Sequence, residues 1–146
     1  MKLPLSGVFL LTALLLAAGC KSSPESVING TWTIDVEKTL AYWKTAYPEE
    51  MEDEFAGFPP QEMSLFKDMA AMGAIKIDTA RGVMSGRLLG EDFPDTEFSI
   101  VSSEGNRVRI KEAYGKEIDI AVIDSNTISM AFPFFGGELA FCLVRK

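Results

Sequence analysis

Two thiols, twenty-one carboxylates and no imidazole set the chemistry open to this chain. Without histidine there is no Ser-His-Asp or Cys-His nucleophile and no usual zinc ligand. Cys142 lies in the apolar run 139–144, where a free thiol reads as a small buried side chain. Two carboxylates can serve a hydrolase as acid and base, but with 21 acids such pairs arise by chance, and no flanking pattern singles one out. The run Glu49–Glu54 reads as the solvated face of a helix and lacks the Gly-bearing loop of a calcium site. Glu91-Asp92-Phe93-Pro94-Asp95 reads as a solvent-facing loop. The chain is therefore expected not to be an enzyme, with no catalytic residue, metal ligand or cofactor assigned.

What remains is apolar chemistry. Val108 and Ile110 alternate with Arg107, Arg109 and Lys111, and Ile118, Ile120 and Val122 alternate with charged residues further on. Five aliphatics on shared strand faces are expected to line an apolar lumen. Met63, Phe66 and Met69 recur at helical spacing and would form an adaptable gate, or else ordinary helix packing. Phe132, Phe134 and Phe135 flank a Pro and a Gly pair near the last turn, where they would form an exposed interaction tip or fold back onto the core.

The chain begins with Met1-Lys2, then the apolar stretch Leu3–Ala18 and the small residues before Cys20. This is the layout of a secretory signal peptide. The run is short for a membrane span and contains Pro4 and Gly7. The segment resembles the lipobox of bacterial lipoproteins, which implies cleavage after residue 19 and lipidation of Cys20. Plain secretion with a free Cys20 and an uncleaved anchor are the alternatives. Removing residues 1–19, with their one Lys and no acid, leaves 127 residues with 13 basic against 21 acidic side chains, a net charge of −8. A domain this acidic is not expected to bind nucleic acid or anionic lipid through its surface. Its membrane attachment would come from acyl chains on Cys20. Lys21 after the cysteine favours, by the sorting rule of such lipoproteins, the outer membrane and its periplasmic face. Lipidation of Cys20 also leaves Cys142 without an intramolecular disulfide partner.

Residues 20–26 read as a lipidated polar tether and 27–146 as one domain. A strand is expected at 30–35. From 36 to 72 the pattern turns helical: Val36, Leu40, Trp43 and Tyr47 share one face behind an Asp35 N-cap, Pro48 starts a second helix that Gly57 ends, and Pro59-Pro60 start a third that Gly73 closes. Seven more strands follow at 74–80, 83–89, 96–103, 106–112, 116–123, 126–132 and 138–145. Pairing Lys111 with Glu117 sets Arg109 opposite Asp119, Ile110 opposite Ile118 and Val108 opposite Ile120, with Ala113-Tyr114-Gly115 as a bulged loop. A two-residue Arg81-Gly82 turn would set Ile75 opposite Leu88 and Ile77 opposite Gly86. Eight antiparallel strands bury one face best as a closed up-and-down barrel, with a two-sheet sandwich as the alternative. The last strand is apolar on both faces, so part of the helical insertion should cover it or one barrel end.

Gly30-Thr31-Trp32 on the first strand, ahead of this strand series, resembles the lipocalin or calycin superfamily, specifically small bacterial lipocalin-like lipoproteins. The resemblance implies that Trp32 plugs the closed end of the barrel and that Arg145, from the last strand, packs over its face. Gly30, Trp32 and Arg145 are then structural. The function expected is binding of an apolar small molecule, such as a fatty acid or lipid fragment, by a membrane-anchored lipoprotein. A solid-cored module for envelope protein interaction or assembly is the second expectation.

Overall fold

A computed structural model describes residues 22–51, 59–134 and 137–146, without the side chains of Glu50 and Phe134. The signal segment 1–19, Cys20, Phe135, residues 52–54 of the acidic run and Gly57 lie outside the described residues. The alternating stretches form eight antiparallel strands: β1 (Gly30–Ile34), β2 (Ala74–Asp78), β3 (Val83–Leu88), β4 (Glu91–Glu104), β5 (Arg107–Glu112), β6 (Glu117–Asp124), β7 (Thr127–Phe134) and β8 (Gly137–Arg145). They pair in chain order, and β1 closes on β8 to give a barrel rather than a sandwich. The helices are α1 (Pro24–Ile28), α2 (Val36–Ala46), α3 (Pro48–Glu50) and α4 (Pro60–Met72). Among the described residues no helix is long and apolar enough to cross a membrane.

The β5–β6 hairpin has the register set by its charge pattern, with Lys111 opposite Glu117, Arg109 opposite Asp119 and Val108 opposite Ile120. Gly115 takes φ 92° in its loop. The β2–β3 hairpin differs from expectation by two residues: Ile75 lies opposite Gly86 and Ile77 opposite Met84. A slip of two keeps every side chain on its own face, so hydrophobic alternation does not resist it. The turn decides instead. Asp78 Oδ1 accepts the Arg81 N–H at 3.0 Å, and Asn29 Oδ1 accepts the Thr79 N–H at 3.0 Å. A four-residue connection, Thr79–Gly82, results. Gly86 fits this register because a Cβ there would collide with the Ala74 carbonyl, and its φ of 140° suits no other residue.

β4 begins at Glu91, so the acidic group placed in a loop is strand. Pro94 is accommodated because the ladder is irregular there, between Met84 and Gly86. A third difference falls on the tether. Residues 24–28 are helical: Ser23 accepts the Ser26 N–H, Pro24 occupies the first turn, and Val27 and Ile28 are buried. The segment is thus part of the fold from Pro24 onward.

α1 closes one barrel end through Trp32 and Arg145. Trp32 is fully buried and its Nε1–H donates to the Ile28 carbonyl at 2.9 Å. The Arg145 guanidinium lies 4.5 Å from the indole centroid and donates to the carbonyls of Val27 (2.8 Å), Asn29 (3.0 Å) and Ser125 (3.3 Å). One side chain therefore satisfies carbonyls that the end of α1 leaves open. Gly30 is required beside it, since a Cβ would strike the guanidinium and the residue holds φ 146°.

α2 packs along the free edge of β8. β1 ends at Ile34, which would leave the rest of the β8 edge unpaired. Asp35 N–H donates to the Cys142 carbonyl at 2.9 Å, and Thr39 Oγ1 accepts the Cys142 N–H at 3.0 Å. One turn on, Trp43 Nε1–H donates to the Ala140 carbonyl at 2.6 Å. The i, i+4 spacing of Thr39 and Trp43 matches alternate residues of the strand, so a helix takes over the edge a strand has vacated. The same cover buries Cys142, and that burial pushes its thiol pKa up. α4 docks on β1, where Thr33 Oγ1–H donates to the Gly73 carbonyl at 2.8 Å.

Candidate ligand cavity at the barrel mouth

Strand alternation divides the interior into a filled end and an open one. Near α1 the lumen is packed by Trp32, Ile75, Ile77, Val108, Ile120 and Leu143, all essentially inaccessible. At the opposite end, bounded by the 89–90 and 113–115 connections and by α4, a cavity of about 560 Å³ opens to solvent. Met84, Leu88, Ile118 and Phe132 form its apolar base, and Met69, Leu89 and Phe93 its walls. Phe93 and Phe132 meet edge to face at 5.9 Å, and Phe132 rests on Phe141 at 6.0 Å, which fixes the base. Glu91, Asp92, Glu112 and Lys116 form the rim. An apolar pocket of this size with a few polar groups at its edge suits one small ligand.

Of the residues assigned to a lumen from sequence, Ile118 and Met69 line the cavity. Val108, Ile110 and Ile120 have no solvent exposure and belong to the packed interior, and Val122 sits toward the α1 end, its N–H bonded to Asn106. Phe66 stacks against Trp43 and Phe141 at 6.3 and 6.5 Å, and Met63 packs on the core, so neither faces the cavity. Phe132 is not an exposed tip. It is 6% exposed and faces inward, because Met130 and Phe132 share the lumen side of β7. Phe134 is in β7 with its side chain not described, and Phe135 is outside the described residues.

The lining residues that sequence reading did not assign to the cavity are Met84, Leu88, Leu89, Glu91, Asp92, Phe93, Glu112, Lys116, Ala131 and Pro133. Parity was a usable signal for Glu112, which continues the inward series Val108, Ile110 on β5. No local signal marks Leu89. It takes φ 50° beside Gly90 in a two-residue turn, a backbone that favours Asn or Gly. Its side chain packs against the core at the cavity wall, which holds it there.

A second, shallower recess of about 300 Å³ lies on the outer sheet among Ser102, Glu104, Arg107, Arg109 and Asp119. Arg109 Nε and Nη2 grip both Asp119 oxygens at 2.8 and 3.3 Å. The hydrogen bond from Arg109 holds the Asp119 carboxyl below its ordinary range, and the same bond raises Arg109. A depressed carboxylate pKa stabilises the fold above the ordinary Asp pKa, and the contribution is lost as pH falls through the folded value. Thermal melts should therefore show Asp119→Asn slightly below wild type at neutral pH, by a margin that salt reduces, and level with it in acid. A difference that persists at the lowest pH would rule out this linkage. Among the described residues, no group of three or more Cys, Asp or Glu side chains is placed to hold a metal ion.

Comparison of the chain with family models, curated proteins and solved structures returns no match.

Proposed function

We propose that this chain is a non-enzymatic lipocalin-like lipoprotein, anchored by acyl chains on Cys20 at the periplasmic face of the outer membrane. In this reading it holds one small apolar ligand in the mouth of its barrel. The cavity over Met84, Leu88, Ile118 and Phe132 carries the reading. Its volume lies in the range of small-molecule pockets, and burial of an alkyl chain there would contribute about 25 cal/mol per Å² removed from water. Purified protein should bind about one equivalent of a hydrophobic fluorescent probe. Ile118→Trp, which puts an indole into the cavity, should weaken that binding about tenfold or more, as loss of a well-filled apolar site requires. Met69→Trp fills the same space from α4 and serves where the barrel variant melts early. Unchanged probe binding in both filled variants would refute the site.

A module that docks on an envelope protein is the second reading. It is supported by the packed half of the lumen and by Leu65 and Met72 on α4, 59% and 75% exposed. Native mass spectrometry of protein recovered from cells separates the two, with a bound adduct expected for the carrier and bare protein for the module.

A further inference from the structure

The cavity rim carries more negative than positive charge, and its unpaired groups point to a class of ligand. Glu112 lies on the inward parity of β5, half-buried at the mouth, where every preceding residue of that series is aliphatic. Its N–H bonds the Lys116 carbonyl at 2.8 Å, which sets the two residues side by side at the mouth. Among the described residues no ion pair joins their side chains, and Glu91 forms none with any of them. Asp92 is compensated by Arg87 at 3.1 Å. Among the described residues lining the cavity, two uncompensated carboxylates therefore face one ammonium. The net charge of −7 biases the potential at the mouth in the same direction.

A fatty carboxylate seated by its chain would bring its own charge among these acids. A cationic head would instead supply a counter-charge to Glu91 and Glu112. Resting on the reading of the mouth as an apolar ligand site, we infer that its preferred occupant is a single-tailed amphiphile with a cationic head group. The tail lies on Met84, Leu88, Ile118 and Phe132, and the head lies between Glu112 and Glu91.

Three probes with one decyl tail and different heads test this: decyltrimethylammonium, decanol and decanoate, each below its micelle concentration. Calorimetric titration should rank the cation first, roughly twofold to fivefold tighter than the alcohol, with decanoate weakest, the scale expected of solvent-exposed charge pairs. The gap between cation and alcohol should shrink with added salt and in Glu112→Gln, whose effect on the cation should exceed its effect on decanol. Ile118→Trp should weaken all three and so separates cavity binding from loose cation attraction to the acidic surface. Equal affinities, decanoate as the tightest ligand, or a gap that Glu112→Gln and Glu91→Gln both leave intact would overturn the head-group inference and leave the apolar site standing. Failure of all three probes to bind would overturn both.

Discussion

Trp43→Ala is expected to cost about 3–5 kcal/mol in denaturant unfolding, as large aromatic deletions from packed interiors do. Trp43 is 1% exposed and meets Phe141 edge to face at 5.1 Å. Truncation leaves a cavity between α2 and the barrel and also strands the Ala140 carbonyl, whose Nε1–H partner at 2.6 Å is lost. A half-buried acceptor left unmet adds about 1 kcal/mol, so the loss should not lie at the bottom of the range. Trp43→Phe refills most of the volume and isolates the hydrogen bond, so it should cost clearly less. Hydrogen exchange reads the mechanism. The Cys142 amide, held by Thr39 on the same helix, should exchange faster in Trp43→Ala while the β4–β5 amides keep their order. Equal protection of β8 in both proteins would sink the view of α2 as a substitute for the missing strand.

Trp32→Ala is expected to have an effect of similar size, about 3–5 kcal/mol, at the opposite end. The indole fills the lumen above Ile75, its cross-strand partner, and its loss removes the surface on which the Arg145 guanidinium rests. α1 should then lose its hold, since Ile28 O, Val27 O and Asn29 O are all tied through these two side chains. Arg145→Lys tests the geometry without removing charge. An ammonium cannot reach three carbonyls in the fork arrangement, so destabilisation should persist. The chain has only two tryptophans, so each Trp→Ala variant retains one fluorophore as a reporter of the other barrel end. Trp32→Ala should leave Trp43 emission buried at low denaturant and should leave probe binding at the mouth largely intact. Concerted loss of both would mean that the two ends do not act independently.

The features legible in the sequence are those governed by period-two alternation and local charge. The β5–β6 register follows from pairing Lys111 with Glu117 and Arg109 with Asp119, because a one-residue slip would put charges against aliphatics. The Asp35 cap followed from residue type and place, and Lys38 N–H bonds its Oδ1 at 2.9 Å. The β2–β3 register was not legible, since two registers differing by two residues bury the same face and the choice rests on Asn29, fifty positions from Thr79. The cavity was legible only in part for a related reason. Alternation assigns side chains to the lumen but not to a depth within it, and depth separates filled Val108 from open Ile118.

The sequence by itself determined that this chain has eight antiparallel strands with one apolar face, a helical insertion after the first, and no histidine for catalysis. Those properties depend on neighbours in the chain and on composition. Only the tertiary structure decided that Thr39 and Trp43 close the β8 edge, that the segment from Pro24 belongs to the fold, and that Phe132 faces inward. It also decided that the lumen is filled at the Trp32 end and open at the Glu112 end. Each depends on which distant groups share a volume once the barrel closes, and volume is a property of the assembled strands rather than of any one of them.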